Sequence, residues 1–452
     1  MFVNHRAGLL GLLGLCLALW LPWVGAVPPI ASWQTTAGSR VLFVAAPEPR
    51  MLDIRIVFDA GSARSATLPG LSTLTNALLI EGAGDWNADQ FAERNANAGI
   101  QMGQGALRDM AWVSVRTLVE PKALETALES LATVLARPRF AITDIERKLQ
   151  GMRVALKQTE QDPGALGKRE FLKRLYGHHP YSTPPEGNPE SLSRIQREDI
   201  VAFYNRYYTA RNAVVAMVGA LDQTQAERVA ARVMAGLPMG ETAPALPPVP
   251  ELTGPVLETI PFPSSQAHLY AGQPSLRRSD EDYFPLLVGN HILGGGGLVS
   301  LLAEEVREKR GLSYSVSSSF VPMRQRGPFM IGLQTRLDQG EQAEQVALDT
   351  LRRFRDQGPT PEELTAAKRH LSGGFPLQIA SNGKMIENIA MIGFYGLAPD
   401  YLDHYVAHIE AVSAEQIRET FQQRLNPERM LRVRVGSPDP KKAARASNMA
   451  SE

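Results

Sequence analysis

Two periodicities run through this chain, and they predict its elements before anything else is known. Ile54, Ile56 and Phe58 alternate with Arg55 and Val57, the two-residue period of a strand with one buried face. Leu124, Leu128, Leu131 and Leu135 recur at helical spacing, and Ala347, Leu351 and Phe354 do the same far downstream. Strands come in clusters and long helices follow in runs. That order predicts an α+β fold, each half carrying a mostly antiparallel sheet with helices packed on one face.

The pattern also repeats. Ile195 to Ile200, followed by an aromatic helix and a strand ending at Gly219, parallels Val412 to Ile417 and a strand ending at Gly436, an offset of 436 − 219 = 217. The same offset, 360 − 143 = 217, links two expected capping boxes, Thr143 with Glu146 and Thr360 with Glu363. Duplication follows, giving two homologous domains, 27–239 and 256–436. Between them, 240–255 holds Pro244, Pro247, Pro248, Pro250 and Pro255, which suits a semi-rigid, Pro-rich linker.

The ends differ from the body. Ala7 to Trp23 is almost unbroken apolar sequence, followed by Val24, Gly25 and Ala26, small residues suited to cleavage, so residues 1–26 read as a signal peptide. Export, most naturally to a bacterial periplasm, is expected. The rival is an uncleaved membrane anchor, since the run approaches the roughly 20 residues that cross a bilayer. Pro22 and the small-residue site favour cleavage. The only cysteine, Cys16, lies in this leader and follows Leu15, which disfavours a lipoprotein, so the mature chain would carry no thiol and must rely on its core. The tail 437–452, with Pro438, Pro440, Lys441, Lys442 and Arg445, reads as disordered.

Composition narrows the partners. Of 452 residues, 44% are hydrophobic, enough for sizeable cores, and 47 Lys plus Arg balance 47 Asp plus Glu. With no net positive field, nucleic acid is not expected as a partner.

One set of motifs is specific. Phe58-Asp59-Ala60-Gly61-Ser62-Ala63-Arg64, then Gly70-Leu71 and the run to Leu79, then Glu81-Gly82, Tyr176-Gly177-His178-His179-Pro180-Tyr181 and Val306-Arg307-Glu308-Lys309-Arg310-Gly311-Leu312-Ser313-Tyr314-Ser315, resemble the pitrilysin/insulinase family of zinc peptidases over nearly all of the mature chain. That family carries H-x-x-E-H on the helix after the Gly-Leu, two imidazoles gripping zinc and a Glu polarising water. Here the five places are Thr73, Leu74, Thr75, Asn76 and Ala77. Neither His nor the Glu is present. The family's third ligand falls near Ala155 by ungapped placement, and the nearby Glu160 would be one carboxylate without partners. The resemblance therefore implies a degenerate site and no metal bound by this chain.

Other histidines offer little. His404 and His408, at i and i+4 with Glu410 close by, could share a helix face, but no third ligand or base is evident, and packing histidines are the favoured reading. His178 and His179 precede a proline and are expected to shape a turn. Gly294 to Gly297 lacks the Lys-Ser/Thr of a phosphate loop and reads as a flexible connection or tight helix start.

A second set of family residues does survive. Members often contribute an Arg and a Tyr seven residues apart from the second half, reaching the substrate at the zinc; Arg307 and Tyr314 match, 314 − 307 = 7. A helix is expected from Leu298 to Arg310 with Leu298, Leu301, Leu302 and Val306 inward, ended by Gly311, before a strand from Leu312 to Val321 that projects Tyr314. The plainer account pairs Arg307 with Glu304 on a solvated face and half-buries Tyr314 in the sheet. The resemblance favours the substrate role. It implies the metal-free subunit of a heteromeric peptidase, inert alone, supplying Arg307 and Tyr314 to a homologous zinc-bearing subunit that cuts peptides. The alternative is a non-catalytic scaffold or peptide-binding protein that kept the fold.

Overall fold

The computed structural model describes residues 27–437. The leader with Cys16 and the tail beyond Ser437 lie outside the described residues, so the readings of cleavage, anchoring and disorder fall there too. No helix among the described residues is long and apolar enough to cross a membrane.

Two sheets of one plan organise the chain. The first contains β1 (Ala31–Gln34), β2 (Arg40–Ala45), β3 (Met51–Phe58), β4 (Gln101–Ala106), β5 (Ala111–Leu118) and β6 (Ala213–Gly219), in the order β1-β2-β6-β3-β5-β4. The second contains β7 (Val256–Pro261), β8 (Gln266–Leu276), β9 (Ser315–Phe320), β10 (Gly327–Arg336) and β11 (Leu431–Ser437), in the order β7-β11-β8-β10-β9. Without β1 the two orders superimpose strand for strand. Even the direction is kept, since β2 with β6 and β7 with β11 are parallel while the other neighbours are antiparallel.

The helices repeat in step. Arg197–Tyr207 and Ala414–Arg424 are offset by 414 − 197 = 217 at one end and 424 − 207 = 217 at the other. Thr360 and Glu363 form the expected reciprocal cap of the helix Pro361–Gln378. Its counterpart does not form: the helix Ile142–Gln161 opens one residue before Thr143, with Ala141 at its N-cap and no side chain capping it. An Ile-Thr start leaves Thr143 inside the first turn, where its hydroxyl cannot reach the opening amides.

Each half lends a helix to the other. Asn382–Tyr395, from the second half, lies on the first sheet, where Ile386, Ile389 and Ala390 join a core with Leu42, Val44, Val57, Ala216 and Val218. Gly393 permits the approach, because a Cβ there would meet Val214 Cγ1 at 2.5 Å and Leu42 Cδ1 at 2.6 Å. In return Pro163–Tyr176 lies on the second sheet, with Phe171, Leu172 and Leu175 against Leu431, Val433 and Val435. The consequence corrects the one-faced reading of β3: Val57, on the face opposite Ile54 and Ile56, is also buried, under the visiting helix.

The Pro-rich segment after the helix Gln223–Met234 has no helix or strand up to Val256. It is nevertheless tied down. Leu246 and Val249 are buried, and Arg64, His179, Gln325 and Arg326 bind the carbonyls of Pro244, Pro247, Leu246 and Val249 at 2.6, 2.9, 3.1 and 2.7 Å.

Candidate functional site

The helix Leu71–Leu78 carries the five degenerate positions, and its surroundings show what replaced the metal chemistry. Gly70, at φ 92°, turns the chain into it, and Ser72 donates to the Ala60 carbonyl at 2.5 Å. The preceding Asp59 to Arg64 turn is rigid: Arg64 binds Asp59 through two nitrogens at 2.6 and 2.7 Å. Gly61 allows no side chain there, because its Cβ would lie 2.2 Å from the Arg108 carbonyl. The motif residues thus fix the helix against the β4–β5 turn.

Within that helix, Thr73 donates to the Pro185 carbonyl at 2.6 Å, and Ala77 offers no ligand atom. Asn76 has become a structural hub. It is fully buried, and its amide nitrogen donates to Gln104 Oε1, the Gly105 carbonyl and the Trp112 carbonyl at 2.9, 2.9 and 3.2 Å, while its oxygen accepts from the Tyr208 hydroxyl at 3.0 Å. Burial drives the Tyr208 hydroxyl far above its ordinary pKa, so it stays a donor. Zinc does not fit this set: one hydroxyl is spent on a carbonyl, one amide is spent on the sheet edge, and the third position is aliphatic. Asn76→Ala should lower unfolding free energy by about 2–3 kcal/mol, because Tyr208 and the β4 and β5 acceptors lose their partner in a closed core. Urea unfolding checks this, and a cost below about 0.5 kcal/mol would mean the network is not holding the helix.

Of the histidines singled out in the sequence, His179 shapes a buried turn, while His404 and His408 lie at the surface. His179 is buried; its Nδ1 accepts from the Tyr181 amide at 3.1 Å, which leaves Nε2 to donate to Pro247. Burial lowers its pKa and keeps the ring neutral. His408 stacks on Phe284 with centroids 4.8 Å apart, and His404 faces Asp400 at 3.4 Å. Among the described residues no three His, Cys, Asp or Glu gather as a metal site.

Arg307 and Tyr314 sit where the chain departs from expectation. The helix Leu298–Arg310 is instead a short turn, Gly297–Val299, then a break at Ser300 and a π-helical segment, Ala303–Glu308. Gly297 at φ 66° cannot continue a helix, and Ser300 caps the next segment, its carbonyl accepting from the Glu304 amide at 2.9 Å. Leu298, expected inward, is therefore exposed, while Leu302 and Val306 are buried. Gly311, at φ 61°, does end the helix. The strand starts later than expected, at Ser315, because the Ser313 hydroxyl binds the carbonyls of Ser315 and Gln334 and occupies the register first. Tyr314 accordingly stands just before β9 and is 79% exposed rather than half-buried.

Arg307 does not pair with Glu304, which is taken by Lys309 at 2.8 Å; its own contact is Glu308 at 3.3 Å. Tyr314 is open to solvent and Arg307 partly so. Arg336, the last residue of β10, is a cation near Tyr314 that sequence inspection missed. Its hydrogen-bonded neighbour Asp338 chiefly raises its pKa, and Tyr314 lies near enough to add to that. No local pattern could have found it, since only the β9–β10 pairing of Ser315 with Gln334 brings it near.

The sequence also concealed a buried carboxylate between the halves. Asp109, on the β4–β5 turn, accepts from the Tyr181 hydroxyl at 2.5 Å, the Arg324 amide at 2.7 Å and the Tyr395 hydroxyl at 3.1 Å. Two of these groups come from each half.

A family profile described as "Peptidase M16 inactive domain" matches residues 194–371. A crystal structure described as the peptidase M16 inactive domain from Pseudomonas fluorescens is 37% identical, with a TM-score of 0.87 over 91% of this chain and 99% of that one. A protease crystal structure from Helicobacter pylori, 16% identical, has a TM-score of 0.83 over 90% of this chain and all of that one, a likeness of fold. An uncharacterized zinc protease of Mycobacterium leprae is 27% identical over 398 residues, 86% of this chain and 88% of that protein.

Proposed function

We propose, since this chain belongs to the peptidase M16 family and is of its inactive-domain type, that it is the metal-free subunit of a two-chain peptidase. One contrast carries this reading: Asn76, at the place of the family's catalytic Glu, is locked into the sheet edge, while Arg307 and Tyr314 remain open at the surface. A homologous partner supplies the zinc-bearing H-x-x-E-H helix. Arg307 and Tyr314 then donate to the carbonyl oxygen of a peptide as it gains negative charge, which fixed hydrogen-bond donors stabilise in a water-poor site.

The test has two parts. Purified chain alone should hold no stoichiometric zinc and cleave no peptide. Mixed with a zinc-bearing homologue from the same genome, it should give chelator-sensitive cleavage exceeding that of the homologue alone. A complex that forms with no gain in cleavage would favour the scaffold reading and end the enzymatic one. We also propose export: the native chain should begin after Ala26 in the cell-envelope fraction, and an intact leader there would instead mean an anchor.

A further inference from the structure

A cavity of about 610 Å³ opens beside the degenerate helix, between the 183–189 loop and the helix Pro163–Tyr176. Pro69, just before that helix, and Pro185, whose carbonyl Thr73 binds, both line it. Its walls combine two kinds of residue: the apolar Leu172, Pro69, Pro184 and Pro185, and four cations, Arg108, Lys168, Arg169 and Lys173.

Arg108 is the unusual member. It is partly buried, its Nε is spent on the Tyr181 carbonyl at 2.9 Å, and it forms no salt bridge among the described residues. Asp109 next to it is fully engaged by Tyr181, Tyr395 and the Arg324 amide. Of the acidic residues in the wall, Glu170 is shared by Arg169 at 3.6 Å and Lys173 at 3.7 Å, while Glu160 and Glu186 form no salt bridge among the described residues. Burial pushes the Arg108 guanidinium below the usual arginine range, and the fields of Tyr176, Glu186 and Asp109 oppose this without neutralising the charge. A cation withdrawn from water without a bonded anion is costly, and a guanidinium fork is shaped to accept a carboxylate through two parallel hydrogen bonds.

We infer that this cavity binds a carboxylate bearing an apolar substituent, such as the free C-terminus of a peptide, with the Arg108 fork on the carboxylate and the last side chain against Leu172 and the prolines. Inorganic phosphate has no use for the apolar wall. Glu186, lining the same space, opposes the ligand by its charge. The site needs neither the partner chain nor Arg307, so it stands or falls separately from the two-chain peptidase.

Calorimetric titration of the purified chain tests it with four ligands: a short peptide ending in leucine with a free carboxylate, the same peptide amidated, N-acetyl-leucine, and inorganic phosphate. The free acid should bind about tenfold or more tighter than the amide, the ratio expected when a charge-assisted bidentate contact is lost. N-acetyl-leucine binding as tightly as the peptide acid would identify a small carboxylate as the ligand; weaker binding identifies the peptide. Arg108→Lys should reduce the acid-over-amide ratio, and Glu186→Gln, whose side chain makes no hydrogen bond or salt bridge among the described residues, should tighten the acid. Equal binding of acid and amide, phosphate binding as well as the peptide acid, or no binding by any of the four would overturn the inference.

Discussion

Replacing Asp109 with alanine should lower the unfolding free energy by about 3–4 kcal/mol, a large effect for a single polar side chain. The reason is accounting of donors. Tyr181 is fully buried, Tyr395 partly so, and with the carboxylate gone both hydroxyls and the Arg324 amide lose their acceptor. Burial drives both phenols far above their ordinary pKa, so neither escapes by ionising. The Tyr181 hydroxyl also accepts from the Gln325 amide at 2.9 Å, so the loss spreads into the β9–β10 loop of the second half. Urea unfolding should show the two halves melting less cooperatively. A loss under about 1 kcal/mol would mean that water replaces the carboxylate and that the knot does not hold the halves together.

The same group sets a pH dependence whose sign is fixed. Burial, the largest influence, raises the Asp109 pKa, and the hydrogen bonds from Tyr181, Arg324 and Tyr395 oppose it. The folded state thus holds the proton more tightly than the unfolded one. The stability this linkage contributes is full below the ordinary aspartate pKa and is lost as pH rises through the elevated value. Asp109→Asn removes that titration, so its melting temperature should fall less between acid and neutral pH than that of the wild type. Parallel pH curves would contradict the raised pKa.

In the proposed two-chain peptidase, Arg307→Ala should reduce kcat about 100-fold, the scale on which single oxyanion donors act. Tyr314→Phe should reduce it in the same sense while keeping the ring. KM should move little, because the donors act on charge that develops only in the transition state. Folding should not intrude. Tyr314 is exposed and Arg307 half-exposed, with only Glu308 as its ion-pair partner among the described residues, and surface substitutions of this kind stay within about 0.5 kcal/mol. Native mass and assembly must be unchanged for the comparison to hold. Unchanged turnover in both variants would make the pair part of the surface and return the protein to the scaffold reading.

What local sequence could and could not reveal follows from the range of each interaction. Period-two and helical spacings report on neighbours two to four residues away, and they were sufficient for the α+β character, the long helices and the Thr360 cap. They misjudged Leu298, because Gly297 and Ser300 interrupt the helix at a point where the apolar spacing continues. They misjudged the second face of β3 for a different reason: its cover arrives from Asn382–Tyr395, more than 300 residues downstream.

By itself the chain determined that Thr73, Asn76 and Ala77 offer no imidazole or carboxylate, that Arg307 and Tyr314 stand seven residues apart, and that its two halves repeat at an offset of 217, all of them matters of which residues occur at which spacing. Only the tertiary structure decided what took the place of the lost chemistry. Asn76 meets Tyr208 across 132 positions, Asp109 meets Tyr395 across 286, and each half buries the other's sheet with a borrowed helix. Such pairings are chosen by the desolvation cost of leaving a polar group unpaired inside the fold, and that cost exists only once distant segments have closed around it.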